Sequence, residues 1–307
     1  MKSERRYLAP LPLGGDVGPP WSKGLLARSL EATGLAATRA YEIAILVDRD
    51  LALRGDDCLD LDRLAEMAAD VIGEEGAART MRRLRRLHQL QQLDVPVVLL
   101  IGGATGTGKS SVATEAAHRL GITRVTSTDF IRHTMRAFFS RDFMPSVHYS
   151  SFEARLGLIR AEEEEAGDAA LLGFLDQTRN VLVGVEAAVD RVLEEGWSMV
   201  LEGVHLVPGM MRTDYDRAIV AHCLLAVTDV NQHRTRFWRR DAATAGIRPV
   251  EKYLEGLPEI RLIQDALLDR ARRHDVPVIE AGTLDDAVGE VLDLVLARAE
   301  ALVRATA

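Results

Sequence analysis

Val97-Val98-Leu99-Leu100-Ile101 runs without interruption into Gly102-Gly103-Ala104-Thr105-Gly106-Thr107-Gly108-Lys109-Ser110-Ser111. The first five residues read as a strand buried on both faces, and Gly103 to Ser110 fills the spacing G-x-x-x-x-G-K-[S/T]. Glycines let the backbone N–H groups of such a loop turn inward around phosphate oxygens, and the helix that follows points its positive end at them. On this reading Gly103, Ala104, Thr105, Gly106, Thr107, Gly108, Lys109, Ser110 and Ser111 cradle the phosphates of ATP. Lys109 reaches the β and γ groups, and Ser110 ligates Mg²⁺.

Upstream of this stretch the texture is helical. SKGLLARSLEATG, TRAYEIAILVDRDLALRG, LDRLAEMAADVIG and ARTMRRLRRLHQLQQL are punctuated by Gly24, Gly34, Gly55, Gly73 and Gly76. The last carries the basic cluster Arg79, Arg82, Arg83, Arg85 and Arg86 and is stopped by Pro96. Residues 1–20, rich in Pro and Gly, read as an extended entry with a short hairpin turning at Gly14-Gly15. Downstream, short strand-like runs at 97–101, 124–128, 198–202, 221–227 and 277–281 alternate with helical ones. The helices are placed from Lys109, from Phe130, across 151–195, from Val230, across 259–274 and from near Leu284. That alternation predicts a parallel sheet wrapped by helices. The expected fold is α/β, a P-loop NTPase with a doubly wound parallel five-stranded sheet, and its resemblance to the nucleoside-monophosphate-kinase type implies the strand order 2-3-1-4-5. It occupies residues 94–307, behind a small helical N-terminal domain in residues 1–93.

Composition narrows the partners. The 307 residues carry 38 Lys and Arg against 46 Asp and Glu, a formal net charge of −8, which disfavours coating a nucleic-acid backbone. Two cysteines, Cys58 and Cys223, offer neither a disulfide framework nor a cysteine metal cluster. The start MKSERRYLAP lacks a secretory apolar stretch, and no apolar run is long enough to span a bilayer. A cytoplasmic protein is expected, acting on a small phosphorylated molecule, with no nucleic-acid or membrane partner. Homo-oligomerisation is left open.

The ends of the later strands carry the candidate chemistry. The second strand delivers Asp129 at its carboxyl end, where ligands gather in open α/β sheets, and Arg132 and Arg136 follow four apart on one helix face. Asp129 could orient or deprotonate a hydroxyl while the arginines hold an anionic acceptor, or it could simply cap its helix. The third strand closes on Glu202 before Gly203-Val204-His205, an apolar run ending in an acid as in a Walker B element. Glu202 would hold a Mg²⁺-bound water or act on the acceptor, with a strand-end salt bridge as the alternative. Asp229 opens a helix reading His233-Arg234-Thr235-Arg236-Phe237-Trp238-Arg239-Arg240, a lid whose Arg236 and Arg240 would neutralise the transferring phosphoryl group. Arg261 and Gln264 either complete the site or face solvent. Pro145 to Glu153 reads as a hydroxyl-rich loop with His148 in it, and Glu162 to Glu165 as a solvated helix face.

The combination IGGATGTGKSSVATEAAHRLGITRVTSTDFIRHTMR, SVHYSSFEA, LEGVHLVPG and HRTRF resembles the 2-phosphoglycerate kinases across roughly residues 95 to 285. The resemblance implies transfer of the γ-phosphoryl group of ATP to the free hydroxyl of 2-phosphoglycerate. It implies that Lys109 and Ser110 serve ATP and Mg²⁺ and that Asp129, Arg132, His148 and Glu202 surround the acceptor. Arg236 and Arg240 would come from the lid. Another phosphorylated hydroxy acid, a polyol phosphate or a nucleotide would suit the same residues, and a nucleotide-sensing protein with little turnover is a reading from a different class. Pro20 to Leu30 with Ala40 to Ala44 is similar to an ATP-cone domain, which implies phosphate contacts from Lys23 and Arg28.

Overall fold

The computed structural model describes residues 21–56, 58–93, 95–158, 166–215, 218–243 and 250–306. The expected hairpin at Gly14-Gly15 and the acidic run Glu162 to Glu165 lie outside them. Five strands, β1 (Val97–Gly102), β2 (Val125–Ser127), β3 (Met199–Gly203), β4 (Ile219–Ala226) and β5 (Val278–Glu280), form one sheet in the order β2-β3-β1-β4-β5. Every pairing is parallel. This is the expected strand order. β1 and β3 are buried at every position, as their unbroken aliphatic runs require of central strands.

Register places the site. Gly102 lies opposite Gly203 and Ser127 opposite Glu202, so β1, β2 and β3 end level with one another. The loop after β1, the turn after β2 and the last acidic residue of β3 are thereby delivered to one edge, as expected where ligands bind open parallel sheets.

Residues of the compact unit built on the sheet, Pro96–Thr114 and Arg124–Ala287, form two cores. Val98, Leu100 and Leu201 pack with Ile131, Val181, Val185 and Val189 from α5 (Thr128–Phe138) and α6 (Ala166–Glu194). Leu224 packs with Phe237, Ile260, Ile263 and Leu267 from α7 (Val230–Ala243) and α9 (Leu257–Arg273). Alternation along the strand sends consecutive side chains to opposite faces and so feeds both cores. The helix expected across 151–195 is shorter than that reading. Pro145–His148 and Ser151–Gly157 are 3-10 turns, and α6 begins at Ala166. Burial of Phe152 against Tyr253, ring centroids 5.9 Å apart, sets the second turn by a tertiary contact that helical periodicity does not encode. A short helix, α8 (Val250–Glu255), precedes α9.

The second unit comprises Met1–Val95, Glu115–Thr123 and Val288–Ala307. Its helices α1 (Lys23–Ala32), α2 (Ala37–Arg54) and α3 (Leu61–Gln92) bury Leu26, Leu30, Ile43, Val47, Leu64 and Leu84. Ser22 caps α1 by accepting from Leu25 N, and Gly73, at φ 74 and ψ 162, breaks α3 where the sequence places a helix end. Most of the last helix, α10 (Leu284–Thr306), groups here rather than with the sheet. Two arginines of the basic cluster explain the grouping: Arg83 makes a two-pronged pair with Asp293, and Arg86 meets Glu300 at 2.6 Å. Lys23, one of the two implied phosphate contacts, pairs with Asp48 at 3.4 Å, while Arg28 is exposed. Among the described residues no helix is long and apolar enough to cross a membrane.

Candidate active site

The phosphate loop links β1 to α4 (Lys109–Leu120). Gly103, Gly106 and Gly108 adopt φ values of 142, 88 and 91, the region glycine enters without penalty. Lys109 is buried and donates from Nζ to the carbonyl oxygen of Ala104 at 2.6 Å, which holds the ammonium inside the loop's curve. Burial lowers its pKa, opposed by the nearby carboxylates of Glu202 and Asp129. Ser110 Oγ donates to Glu202 Oε1 at 2.9 Å. Ser110 in the first turn of α4 and Glu202 near the end of β3 therefore present adjacent oxygens, a donor pair suited to a hard divalent cation. Among the described residues no cluster of three or more His, Cys, Asp or Glu is placed for a metal, so a cation here would draw its other ligands from phosphate and water.

α7 does not stand free as a lid. His233 and Phe237 are buried, and their rings stack with centroids 5.2 Å apart directly against Gly106. A Cβ on Gly106 would sit 2.5 Å from Phe237 Cε1, so the close approach requires glycine there. His233 donates through Nε2 to Thr105 O at 2.7 Å, and burial lowers its pKa, so the ring is neutral. Arg236 donates to Thr107 O at 2.9 Å and also to the carbonyl of Ala281. The helix is seated on the main-chain oxygens of the loop, which leaves the loop N–H groups to phosphate.

On the other side, Asp129 stands in the first turn of α5, whose cap is Ser127 accepting from Phe130 N. Asp129 is therefore not the helix cap. Desolvation at the strand ends would raise its carboxyl, but the charges of Arg132 and Lys109 outweigh this and hold it below the ordinary carboxylate range. Arg132 is buried, approaches Asp129 Oδ1 at 3.3 Å and donates from Nη1 to Val147 O and Tyr149 O at 3.0 and 2.8 Å. It thus ties the carboxylate to the turn at 145–149.

No family model matches the chain. Curated proteins do. It is 37% identical over 279 residues to the 2-phosphoglycerate kinase of Methanopyrus kandleri, covering 90% of this chain and 84% of that protein. It is 38% identical over 262 residues to that of Methanothermobacter thermautotrophicus, covering 85% of each. The chain belongs to the 2-phosphoglycerate kinase family. Its likeness to that of Methanocaldococcus jannaschii, 35% identity over 92% of this chain and 90% of that protein, spans the helical N-terminal unit as well as the sheet. The 2-phosphoglycerate kinase family resemblance read from the motifs is thereby shown.

Not every residue expected to serve a 2-phosphoglycerate kinase site is free to do so. Lys109, Ser110, Asp129 and Glu202 come together at the strand ends. Arg236 reaches the loop. Arg132 enters as a clamp on main-chain carbonyls, and Arg136 is exposed one turn further along α5. His148 turns away from an acceptor role, donating through Nε2 to Phe139 O at 3.0 Å and fastening the end of α5. The side chain of Arg240 lies outside the described residues. Arg261 and Gln264 neither complete the site nor face solvent, because both bind Val227 at the end of β4. Sequence reading missed His233 and Phe237 as the seat of α7, although the run HRTRF contains both. It also missed Gln177 and Thr128. The signal for Gln177 is its polarity at a position where Phe174, Val181 and Val185 mark the core-facing stripe of α6.

Proposed function

We propose that this chain is a cytoplasmic kinase that transfers the γ-phosphoryl group of ATP to the free hydroxyl of 2-phosphoglycerate, giving 2,3-bisphosphoglycerate and ADP. The observation that carries the reading is the contact between Ser110 on the phosphate loop and Glu202 on β3, with Asp129 and Arg132 at the neighbouring strand end. Relatives named 2-phosphoglycerate kinase along nearly the whole chain support the acceptor.

In this reading the acceptor hydroxyl attacks the γ-phosphorus in line, the bond from that phosphorus to the β,γ-bridging oxygen breaks, and ADP leaves with the pair of electrons. Asp129, kept ionised by Arg132 and Lys109, accepts a hydrogen bond from the hydroxyl and takes its proton as transfer completes. Lys109, released from Ala104 by phosphate oxygens, spreads positive charge over the β and γ groups. Arg136, exposed further along α5, would offer its guanidinium to the acceptor's carboxylate or phosphate. Ser110 directly and Glu202 through water would hold Mg²⁺, which when bound neutralises charge between the β- and γ-phosphates.

A coupled ADP-release assay tests this, with ATP and Mg²⁺ against 2-phosphoglycerate, 3-phosphoglycerate, glycerate and a nucleoside monophosphate panel, product identified by phosphorus NMR. Turnover with 2-phosphoglycerate to the 2,3-bisphosphate is expected. Turnover confined to another acceptor overturns the substrate and leaves the kinase chemistry.

A further inference from the structure

Behind the strand ends lies a chain of buried polar side chains that the transfer step does not use. Gln177 sits on the apolar face of α6, and Gln177, His205, Thr128 and Ser146 are each fully buried. Polar residues at core positions are costly unless every group is paired, and this set is paired in a line. Gln177 Nε2 donates to Ser146 O at 2.6 Å and to Tyr149 O at 3.1 Å. Gln177 Oε1 lies 2.9 Å from His205 Nε2, and His205 Nδ1 lies 2.8 Å from Thr128 Oγ1.

The direction of every bond in this line follows from its two carbonyl ends. A carbonyl only accepts, so the amide group of Gln177 that faces Ser146 and Tyr149 is the NH₂, and its oxygen faces His205. An amide oxygen only accepts, so His205 carries its proton on Nε2. The bare Nδ1 then accepts from the hydroxyl of Thr128. Burial lowers the His205 pKa to about 3, which is consistent with a neutral ring.

Both ends of the line reach the acceptor side. Thr128 immediately precedes Asp129, and its hydroxyl lies so close to Gly203, the residue after Glu202, that a Cβ there would be 1.9 Å away. The other end holds Ser146 and Tyr149, the same turn that Arg132 grips through Val147 and Tyr149 while pairing with Asp129. The turn and the carboxylate are thus joined twice, once through Arg132 and once through Gln177, His205 and Thr128.

We propose that Gln177 is a positioning residue for the acceptor, acting through the His205 tautomer to fix the turn at 146–149 relative to Asp129. The proposal rests on the kinase reading above, and concerns binding of the acceptor and not of ATP.

Steady-state kinetics of the full-length chain test it, using the acceptor that the wild-type protein turns over in the panel. Gln177→Met should raise the acceptor KM about tenfold, the effect of one lost hydrogen-bonded contact, with the ATP KM within about twofold. Gln177→Glu, which keeps the acceptor oxygen but loses the NH₂ donor, should behave like Gln177→Met. A folded Gln177→Met protein with an unchanged acceptor KM overturns the proposal, as does a rise shared equally by ATP. If Gln177→Met fails to fold, Thr128→Val and Thr128→Ser decide. The serine variant, which keeps the hydroxyl, should retain the wild-type acceptor KM and the valine variant lose it, whereas equal values overturn the proposal. Nitrogen NMR of His205 needs no acceptor and so stands apart from the substrate reading. A proton on Nε2 is expected, and one on Nδ1 would reverse the line and sink it.

Discussion

The two sides of this site are built by different means. On the ATP side, nine consecutive residues, Gly103 to Ser111, make the phosphate cradle from their own backbone, and α7 buttresses it through main-chain oxygens. On the acceptor side, Asp129 pairs with Arg132, which grips the turn at 145–149, and Gln177 and His205 link that turn to Thr128, which lies 77 positions from His205 in the chain. Binding phosphate is a property of local backbone geometry and a helix end, which a short motif can specify. Recognising a particular hydroxy acid demands side chains from several elements at fixed distances, which only a packed core supplies.

If that division is right, removing the cation common to both sides should cost most. Lys109→Ala is expected to lower kcat by about 10³-fold and to weaken ATP binding, read by steady-state kinetics and titration. Asp129→Asn comes next, with kcat lowered about 10²-fold and the ATP dissociation constant within about twofold. An equal loss of ATP affinity would erase the distinction between the sides.

Acid should loosen the acceptor side through its buried imidazole. The folded protein keeps His205 neutral down to about pH 3 and His222 to about pH 4, while the unfolded chain protonates both near 6.5. A depressed histidine pKa gives stability present above the unfolded value and lost as pH falls through the window below it. The unfolding free energy from urea titration should therefore fall between pH 6.5 and 5, by about 2 kcal/mol for each histidine. A flat profile would mean that these rings are hydrated in the native state.

The smallest effect is expected beneath the ATP side, where Gln264 brackets Val227 by accepting from its N–H and donating to its carbonyl at 3.1 and 3.0 Å. Gln264→Leu should destabilise by about 1–2 kcal/mol with kcat within about twofold. A kinetic loss would instead place the end of β4 in the site.

Most of the sheet was legible because central parallel strands must be apolar on both faces, as Val97 to Ile101 and Val200 to Leu201 are. Asp129 and Glu202 were placed because they lie at the strand ends of the edge where ligands bind open parallel sheets. Arg132 was legible as a cation but not as a clamp, since its partners are carbonyls, which every residue carries. His148 was misjudged for the same reason: its partner is the backbone of Phe139. The placement of most of α10 with the N-terminal helices could not be read at all, for it depends on pairs such as Arg83 and Asp293, 210 residues apart.

By itself, then, the sequence determined the phosphate loop and the parallel strands, because spacing and periodicity are local or repeating properties, while the strand order was what the family resemblance implied. Only the tertiary structure decided that α7 is seated on the loop, that Arg132 clamps a turn, and that Gln177 and His205 stand behind Asp129. Those roles arise from bonds to main-chain oxygens and between buried side chains far apart in the chain, whose partners exist only once the core has closed around them.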